Sequence, residues 1–279
     1  MLYNASMKKI DYKDITFLIT TVEKTFEQIF ELVKSNNLKG NVMVGCQKSD
    51  KDFVENYFSE ELKLSVFFQT SAGTSINRNF LLERVGTKFC FFFDDDIKFL
   101  DIELETINEF VSKNDGFDLV FFDYKYDDLI KKKVRWSLQK KLKWYKMRSF
   151  GTNSVLYRVE FLKREKLRFN ENLGPGCYIS SGEDGKFLMD AVKKTNKAFS
   201  FKSEIIEILT LRNSTWFTGY NDSYFRNIGY SYRMSYGILA IPSIVFTLVK
   251  HRKSYLKEHN FRTAFQYAMN GYNYYGKQK

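Results

Sequence analysis

Three adjacent carboxylates, Asp94, Asp95 and Asp96, directly follow the apolar run Phe89–Phe93. A short apolar run without polar alternation predicts a strand that is buried on both faces. The acids then lie at the C-terminal end of that strand, where open α/β sheets bind ligands. Neighbouring carboxylates repel each other unless a cation compensates, and their oxygens suit Mg2+ or Mn2+ shared with substrate phosphates. A solvated acidic turn that caps the strand is the alternative interpretation.

A second acidic pair, Glu183-Asp184, follows the glycine-rich stretch 174–182. The apolar residues after it recur at helical spacing, which predicts that the pair lies in the first turn of a helix. Acids are favoured there by the helix dipole, and Ser180 or Ser181 is a candidate cap. The functional interpretation instead makes one of the two acids a general base in a cleft lined by the loop.

The inventory of reactive residues excludes several function classes. Only two histidines, His251 and His259, occur, so a histidine-based nucleophile relay is not expected. Three scattered cysteines lack the paired spacing of a zinc site and suit a reducing compartment. The sequence contains neither a phosphate loop nor a dinucleotide-binding Gly-x-Gly-x-x-Gly. A bound nucleotide would therefore need the carboxylate cluster and a divalent cation to hold its phosphates.

The net charge of +11 is unevenly distributed. Residues 131–148 carry nine Lys/Arg and no acid, and residues 226–279 carry nine against the single acid Glu258. This asymmetry indicates a negatively charged partner such as phosphates, anionic lipid or nucleic acid.

Strands and helices alternate along the first half of the chain, which predicts an α/β fold with a mainly parallel sheet flanked by helices. β-Branched and aromatic residues mark the strands, and apolar residues at helical spacing mark the helices. In order, the expected elements are the strand Ile15–Thr21, a helix from Phe26, the strand Asn41–Cys46, a short helical piece, the strand Leu64–Phe68, a helix from Ser75 and the acidic strand.

Four features in this order resemble the family-2 glycosyltransferases of the GT-A fold, a Rossmann-like architecture. They are the opening strand Ile15–Thr21, the helix start Gly73–Asn79, the segment Phe93–Ile97 with its Asp-x-Asp pair, and the stretch from Gly174 to Glu183-Asp184. The resemblance extends over roughly residues 14–215. It implies a catalytic domain over residues 1–215 and a basic, aromatic-rich, mostly helical region over residues 216–279.

The resemblance also implies roles for individual residues. It makes Asp94 and Asp96 the ligands of Mn2+ or Mg2+, with Asp95 beside the nucleotide in an alternative register of the triplet. It makes Asp184 the catalytic base, with Glu183 supporting or sharing that role. The residues that the resemblance assigns to the nucleotide sugar, besides Asp94 and Asp95, are Thr20, Thr21, Gln47, Arg78, Asn79 and Arg212.

The sequence departs from the family pattern at two places. Cys46-Gln47 stands where many relatives have an acidic pair, and the stretch Leu209–Thr215 has no metal-binding histidine. Arg212 is the candidate to take over part of the cation's work on the diphosphate.

The implied activity is inverting transfer of a sugar from a nucleotide-diphosphate sugar, with UDP-sugars favoured, to a hydroxyl of a glycan or lipid-linked acceptor. A cytoplasmic enzyme, peripheral at the inner face of the cell membrane, is the expected setting. Two alternatives are a sugar-phosphate nucleotidyltransferase and a non-catalytic basic module that binds glycan or nucleic acid. The first would need a glycine-rich, Arg-containing loop that is missing between Thr20 and Gln28. A nucleic-acid partner is not expected, because acids at two element junctions would repel a phosphate backbone.

The most apolar run of the C-terminal region is Tyr236–Val249. As a helix it would be about 21 Å long, which is shorter than a bilayer core of about 30 Å, so a membrane span is not expected. One interpretation is a buried helical hairpin. The other is a set of helices lying on an anionic membrane surface, because Lys250, Arg252 and Lys253 follow the run directly.

Overall fold

A computed structural model describes residues 9–100, 103–114, 116–126, 133–134, 142–209 and 219–277. One large sheet, covered by helices on both faces, extends to residue 208, and three further helices follow it. The predicted α/β architecture with a helical C-terminal region is confirmed.

The first half of the sheet alternates strands with helices. Its elements are β1 (Ile15–Val22), α1 (Phe26–Ser35), β2 (Gly40–Gln47), β3 (Phe53–Phe58), β4 (Leu62–Gln69), α2 (Thr74–Arg84) and β5 (Phe89–Asp94). Strands β4, β2, β1 and β5 lie side by side and parallel. Helix α1 begins at a capping box, in which the Thr25 side chain accepts a hydrogen bond from the backbone N–H of Gln28.

The short helical piece expected between β2 and β4 is wrong, because the structure has the strand β3 there. This strand pairs antiparallel with β4 at the edge of the sheet. Its first residue, Phe53, stacks on Phe68 of β4 with the ring centroids 4.3 Å apart. Aromatic pairing across the two strands therefore outweighs the weak local preference of this segment.

The second half of the sheet contains more antiparallel pairing than the sequence indicates. Its elements are β6 (Ile97–Phe99), α3 (Glu103–Lys113), β7 (Leu119–Tyr126), β8 (Lys133–Val134), β9 (Val155–Arg158), α4 (Val159–Arg164), α5 (Glu183–Lys194) and β10 (Ala198–Ile208). Strand β9 inserts between β5 and β7 and is antiparallel to both. The strand order is β3-β4-β2-β1-β5-β9-β7-β10-β6, with β8 beside β7, and the sheet is mixed.

The apolar run of β5 is buried on both faces of the sheet, as predicted. Phe89, Phe91 and Phe93 belong to the core beneath α1 and α3, whereas Cys90 and Phe92 belong to the core beneath α2 and α5. Successive side chains of a strand point to opposite faces. The same alternation carries Asp94 to the face covered by α2 and α5.

Three helices, α6 (Asp222–Tyr236), α7 (Ala240–Tyr255) and α8 (Phe261–Lys277), complete the described chain. They share an apolar cluster that includes Phe225, Leu248 and Ala268. The backbones of α6 and α8 approach so closely that a Cβ on Gly271 would lie 1.9 Å from the backbone oxygen of Arg226. Glycine is therefore needed at this crossing.

By length and composition alone, the helical run Asp222–Tyr255 could cross a membrane, with a mean hydropathy of 1.4 over an 18-residue window. The sequence analysis did not expect a membrane span, because the apolar run Tyr236–Val249 alone is too short to cross a bilayer. The run is bent, however, because the rings of Phe225 and Tyr255 lie 5.3 Å apart and the hydroxyls of Tyr232 and Thr247 lie 2.7 Å apart. In a straight helix, residues as far apart as Phe225 and Tyr255 would be separated by about 45 Å. The run is therefore a helical hairpin that turns at Gly237, whose φ is +60°.

Candidate active site

A buried arginine joins the two acidic motifs of the sequence. The side chain of Arg78, on α2, is 2% exposed. Its Nη2 donates to Asp94 Oδ1 at 2.8 Å, and its Nη1 donates to Asp184 Oδ1. Burial by itself would lower the pKa of Arg78, but the charges of Asp184 and Asp94 raise it well above its ordinary value. The guanidinium therefore remains charged and holds the end of β5 against the start of α5.

The register between β1 and β5 explains the other partners of the Asp triplet. Thr20 pairs with Asp94 across the two parallel strands, and its hydroxyl donates to Asp94 Oδ1 at 3.4 Å. One residue further along, the Thr21 hydroxyl donates to Asp95 Oδ2 at 2.9 Å. The Lys24 ammonium lies 2.9 Å from the same oxygen of Asp95. Asp94, the last residue of β5, and Asp95, the first residue of the turn after it, thus have different sets of partners.

Asp96 lies in the turn between β5 and β6 and is half-buried. Its backbone oxygen accepts a hydrogen bond from the backbone N–H of Leu209 at 2.8 Å. The last described residue of the segment after β10 is thereby bound to the Asp triplet. Arg212, which the family resemblance assigns to the diphosphate, lies outside the described residues.

Asp184 lies in the first turn of α5 and accepts three hydrogen bonds from two residues. Besides Arg78, it accepts from the Thr152 hydroxyl at 3.1 Å and from the Thr152 backbone N–H at 3.4 Å. Burial raises the pKa of Asp184, the charge of Arg78 opposes that rise, and Asp94 adds to it. A carboxylate with a raised pKa and a fixed orientation suits proton abstraction better than an ordinary surface acid does.

Glu183 precedes Asp184 and is more isolated. Burial and the neighbouring Asp184 charge raise the pKa of Glu183 to about 7. Neither Ser180 nor Ser181 caps α5. Gly182, with φ of +97°, occupies the N-cap position without any side-chain hydrogen bond, and the Ser180 hydroxyl pairs with that of Ser223. The serine cap suggested by the sequence is therefore wrong.

Unpartnered polar atoms concentrate around this pair of motifs. Among the described residues, four buried side-chain nitrogen or oxygen atoms lack a hydrogen-bond partner. Three of them are Arg78 Nε, Asn153 Oδ1 and Glu183 Oε2. Asn153 also donates to Asp94 Oδ2 at 3.5 Å, which places it in the same site. Since buried polar groups are almost always paired, their concentration here indicates a place for a polar ligand.

Two other predicted residues take part in separate networks. Gln47 is 2% exposed, and its side-chain amide donates to the Ser71 hydroxyl at 3.0 Å, at the C-terminal ends of β2 and β4. Asn79 donates to Glu171 at 2.8 Å and exchanges two hydrogen bonds with the backbone of Phe169. The Asn79 side chain therefore anchors the segment 169–171.

Comparison with known proteins gives matches at the level of structure alone. No protein-family model and no curated protein matches the sequence. A crystal structure of S. aureus TarS residues 1–349 with UDP-GlcNAc has a TM-score of 0.55 at 16% identity, over 86% of this chain and 73% of that one. The same fragment with UDP gives 0.58 at 14% identity, over 92% and 80%. The mannosyltransferase PcManGT from Pyrobaculum calidifontis, in complex with GDP-Man and Mn2+, gives 0.51 at 13% identity, over 95% and 76%.

The chain has the GT-A fold. The match includes the mixed sheet and most of the chain, as the sequence resemblance implies. In this GT-A chain, β5 ends in the Asp triplet, α5 begins with the Glu-Asp pair, and Arg78 lies between them.

The side chains of this GT-A site limit which metal ion could bind. Within the described ranges, no group of three or more His, Cys, Asp or Glu side chains is placed to hold a metal ion. A zinc-type cage made only of protein ligands therefore does not fit these residues. Mg2+ and Mn2+ fit better, because such ions are commonly held by one or two carboxylates together with substrate phosphates and water. The Asp triplet offers carboxylates for such an arrangement, and Asp94 and Asp96 are the pair that the family resemblance assigns to it.

Three residues of the site were not expected from the sequence: Lys24, Thr152 and Asn153. Thr152 and Asn153 immediately precede β9 and approach Asp184 and Asp94 because β9 lies beside β5. In the sequence, only their polar side chains at the start of a strand could have marked them as site residues. Their contacts depend on a strand pairing that no short motif encodes.

Proposed function

We propose that the protein is a glycosyltransferase that moves a sugar from a nucleotide-diphosphate sugar to a hydroxyl of a glycan or lipid-linked acceptor. The observation that carries this proposal is the bridge of Arg78 between Asp94 and Asp184 at the meeting point of β5 and α5. In this proposal the bridge connects the donor site at Asp94 to the catalytic base Asp184 within a GT-A fold. UDP-sugars are favoured, because the TarS structures contain UDP-GlcNAc and UDP, although PcManGT contains GDP-Man.

Asp184 takes the proton of the attacking acceptor hydroxyl in this proposal. Thr152 fixes its orientation with two hydrogen bonds, and Arg78 stabilises its charged form until the acceptor arrives. General-base assistance of this kind contributes about 100- to 10,000-fold to the rate. Direct attack on the face opposite the leaving diphosphate inverts the anomeric configuration.

Asp94 and Asp96 would hold Mn2+ or Mg2+ together with the diphosphate of the donor. The ion would supply neutralisation of the charge that develops on the leaving group. Thr20 and Thr21 of β1 contact the triplet, and Gln47 ends the next strand, β2; the family resemblance assigns these residues to the base and ribose of the nucleotide. Arg78 places a fixed positive charge beside the triplet.

A surface groove next to the loop that leads into α5 is the candidate site for the acceptor. Tyr178 of that loop and Tyr274 of α8 have ring centroids 4.9 Å apart. They line a cavity of about 300 Å³ together with Asn270, Asn273 and Lys277. Aromatic faces beside side-chain amides offer both apolar contact and hydrogen bonds, which a sugar ring needs. We assign the acceptor to this groove.

Turnover assays on the full chain test the proposed reaction. UDP-, GDP- and dTDP-sugars are incubated with the protein, with and without Mn2+, and release of the nucleoside diphosphate is measured. We expect metal-dependent release from one donor, and we expect Asp184→Asn to lower it by about 100-fold or more. Asp190→Asn, further along the same helix, is the matched control, because Asp190 pairs with Lys186 instead. Pyrophosphate release from a sugar phosphate and a nucleoside triphosphate would contradict the proposal.

A further inference from the structure

One side of α7 and of the turn before it presents large apolar side chains to solvent. Leu239 is 71% exposed, Ile238 is 73% exposed and Phe246 is 68% exposed. We call this surface the α7 apolar face, and its members are Ile238, Leu239, Ile241, Val245, Phe246 and Val249. At 100° per residue, Ile241, Val245 and Val249 recur on one side of the helix, and Phe246 lies beside them.

The other side of α7 holds the helix to the protein. Ile244 and Leu248 are fully buried and pack with Phe225 of α6 and Ala268 of α8. Their burial fixes the rotation of α7 about its axis. The α7 apolar face therefore points away from the helical cluster because of packing. Several large apolar side chains exposed together on one side of a helix indicate a site of interaction.

Positive charges lie next to the α7 apolar face. Lys250, Arg252 and Lys253 occupy the turns that follow Val249, and all three are exposed. Lys257 follows, also exposed, and Glu258 is the single acid of residues 226–279. An apolar band that ends in a group of cations matches the two layers of an anionic bilayer surface, which are acyl chains below and phosphate headgroups above.

We propose that the α7 apolar face docks on an anionic phospholipid surface. Phe246, Leu239 and Ile238 enter the boundary between headgroups and acyl chains, and Lys250, Arg252 and Lys253 contact the headgroup phosphates. A second copy of the chain, packed through the same face, would offer few anions to these cations, because Glu258 is the single acid of residues 226–279. This inference concerns attachment alone and does not depend on the reaction proposed above.

Vesicle flotation tests the proposal with the full chain. The protein is mixed with vesicles of phosphatidylcholine containing phosphatidylglycerol, or with vesicles of phosphatidylcholine alone, at low and at high salt. We expect co-flotation with the anionic vesicles at low salt and loss of most binding at high salt. The pair of changes Leu239→Ser and Phe246→Ser should weaken binding by about 10-fold or more, and Lys250→Gln with Lys253→Gln should weaken it by a similar factor.

The matched control is Phe58→Ser on the edge strand β3. Phe58 is 68% exposed, as Phe246 is, so both changes remove one equally exposed ring. We expect Phe58→Ser to float like the unchanged protein. Absence of co-flotation, or equal flotation of the Leu239→Ser and Phe246→Ser variant, would overturn the proposal. So would a concentration-dependent dimer in sedimentation that Phe246→Ser abolishes while vesicle binding persists. Donor hydrolysis in the absence of vesicles should be unchanged in these variants, which separates attachment from turnover.

Discussion

At the scale of single residues, Arg78 has the largest influence on the site. Asp94 and Asp184 have side chains 32% and 19% exposed and would repel each other without a cation between them. Arg78 supplies that cation from a fully buried position, and its planar fork reaches both carboxylates at once. The same side chain therefore contributes to stability and to the shape of the donor and base sites.

The substitution Arg78→Lys should distinguish the effect of the positive charge from the effect of the two directed hydrogen bonds. Arg78→Lys keeps the positive charge but cannot donate in two fixed directions, so we expect kcat/KM to fall by about 10-fold or more. The loss of unfolding free energy should be about 1–3 kcal/mol, whereas Arg78→Met should lose about 3–5 kcal/mol by leaving two carboxylates unpaired. Arg84→Lys is the control on the same helix, because Arg84 is 40% exposed. Activity of Arg78→Lys equal to that of the unchanged protein would contradict a positioning role.

The raised pKa of Glu183 predicts a pH dependence of stability. The pKa rises from 4.5 to about 7 on folding, chiefly because of burial. Between these values the folded state binds more protons than the unfolded state, so stability is highest below the lower pKa and falls as pH rises through this window. Glu183→Gln cannot ionise and should remove this part of the slope, gaining about 1–3 kcal/mol relative to the unchanged protein at slightly alkaline pH. Thermal denaturation across the window measures it; parallel curves for the two proteins would refute the shift.

At the scale of elements, the sequence predicts what local pattern encodes. Strands β1, β2, β4 and β5 and helices α1, α2 and α5 lie where apolar periodicity places them, within a few residues. Strand β9 is different, because its antiparallel position between β5 and β7 arises only from contacts distant in sequence. For the same reason the acids and Arg78 are identifiable as candidates, while their direct bridge and the roles of Thr152 and Asn153 are visible only in the structure.

The crossing of α6 and α8 gives a prediction about elements. A Cβ on Gly271 would meet the backbone oxygen of Arg226 at 1.9 Å, and backbone cannot move aside as a flexible side chain can. We expect Gly271→Ala to cost about 1–3 kcal/mol of unfolding free energy and to weaken acceptor binding, because α8 carries Tyr274. Gly276→Ala, on the same helix, meets nothing within 4 Å and should be neutral or slightly stabilising. Chemical denaturation compares the two, and equal stability would show that the helices adjust without cost.

At the scale of the whole molecule, ligand binding and global stability are linked. The site joins β1, β5, α2 and α5, elements that belong to both halves of the sheet, so a donor bound there stabilises the folded chain as a unit. The excess of positive charge over the molecule also favours the approach of an anionic nucleotide sugar. Stability measured with and without donor therefore reports on the site even where turnover is absent.

Thermal denaturation with nucleotide sugars should distinguish the roles of the two acidic motifs. A donor present at about 100 times its dissociation constant adds about 2.7 kcal/mol to stability. We expect Asp184→Asn to retain this gain, because the base acts on the acceptor, and we expect Asp96→Asn to lose the part that depends on Mn2+. Glu109→Gln on α3 is the control for loss of one negative charge, since Glu109 is 55% exposed and pairs with Lys113. If Asp96→Asn responds to donor and Mn2+ as the unchanged protein does, Asp96 is not a metal ligand. The assignment of the triplet would then rest on Asp94 and Asp95, the other register that the sequence allows.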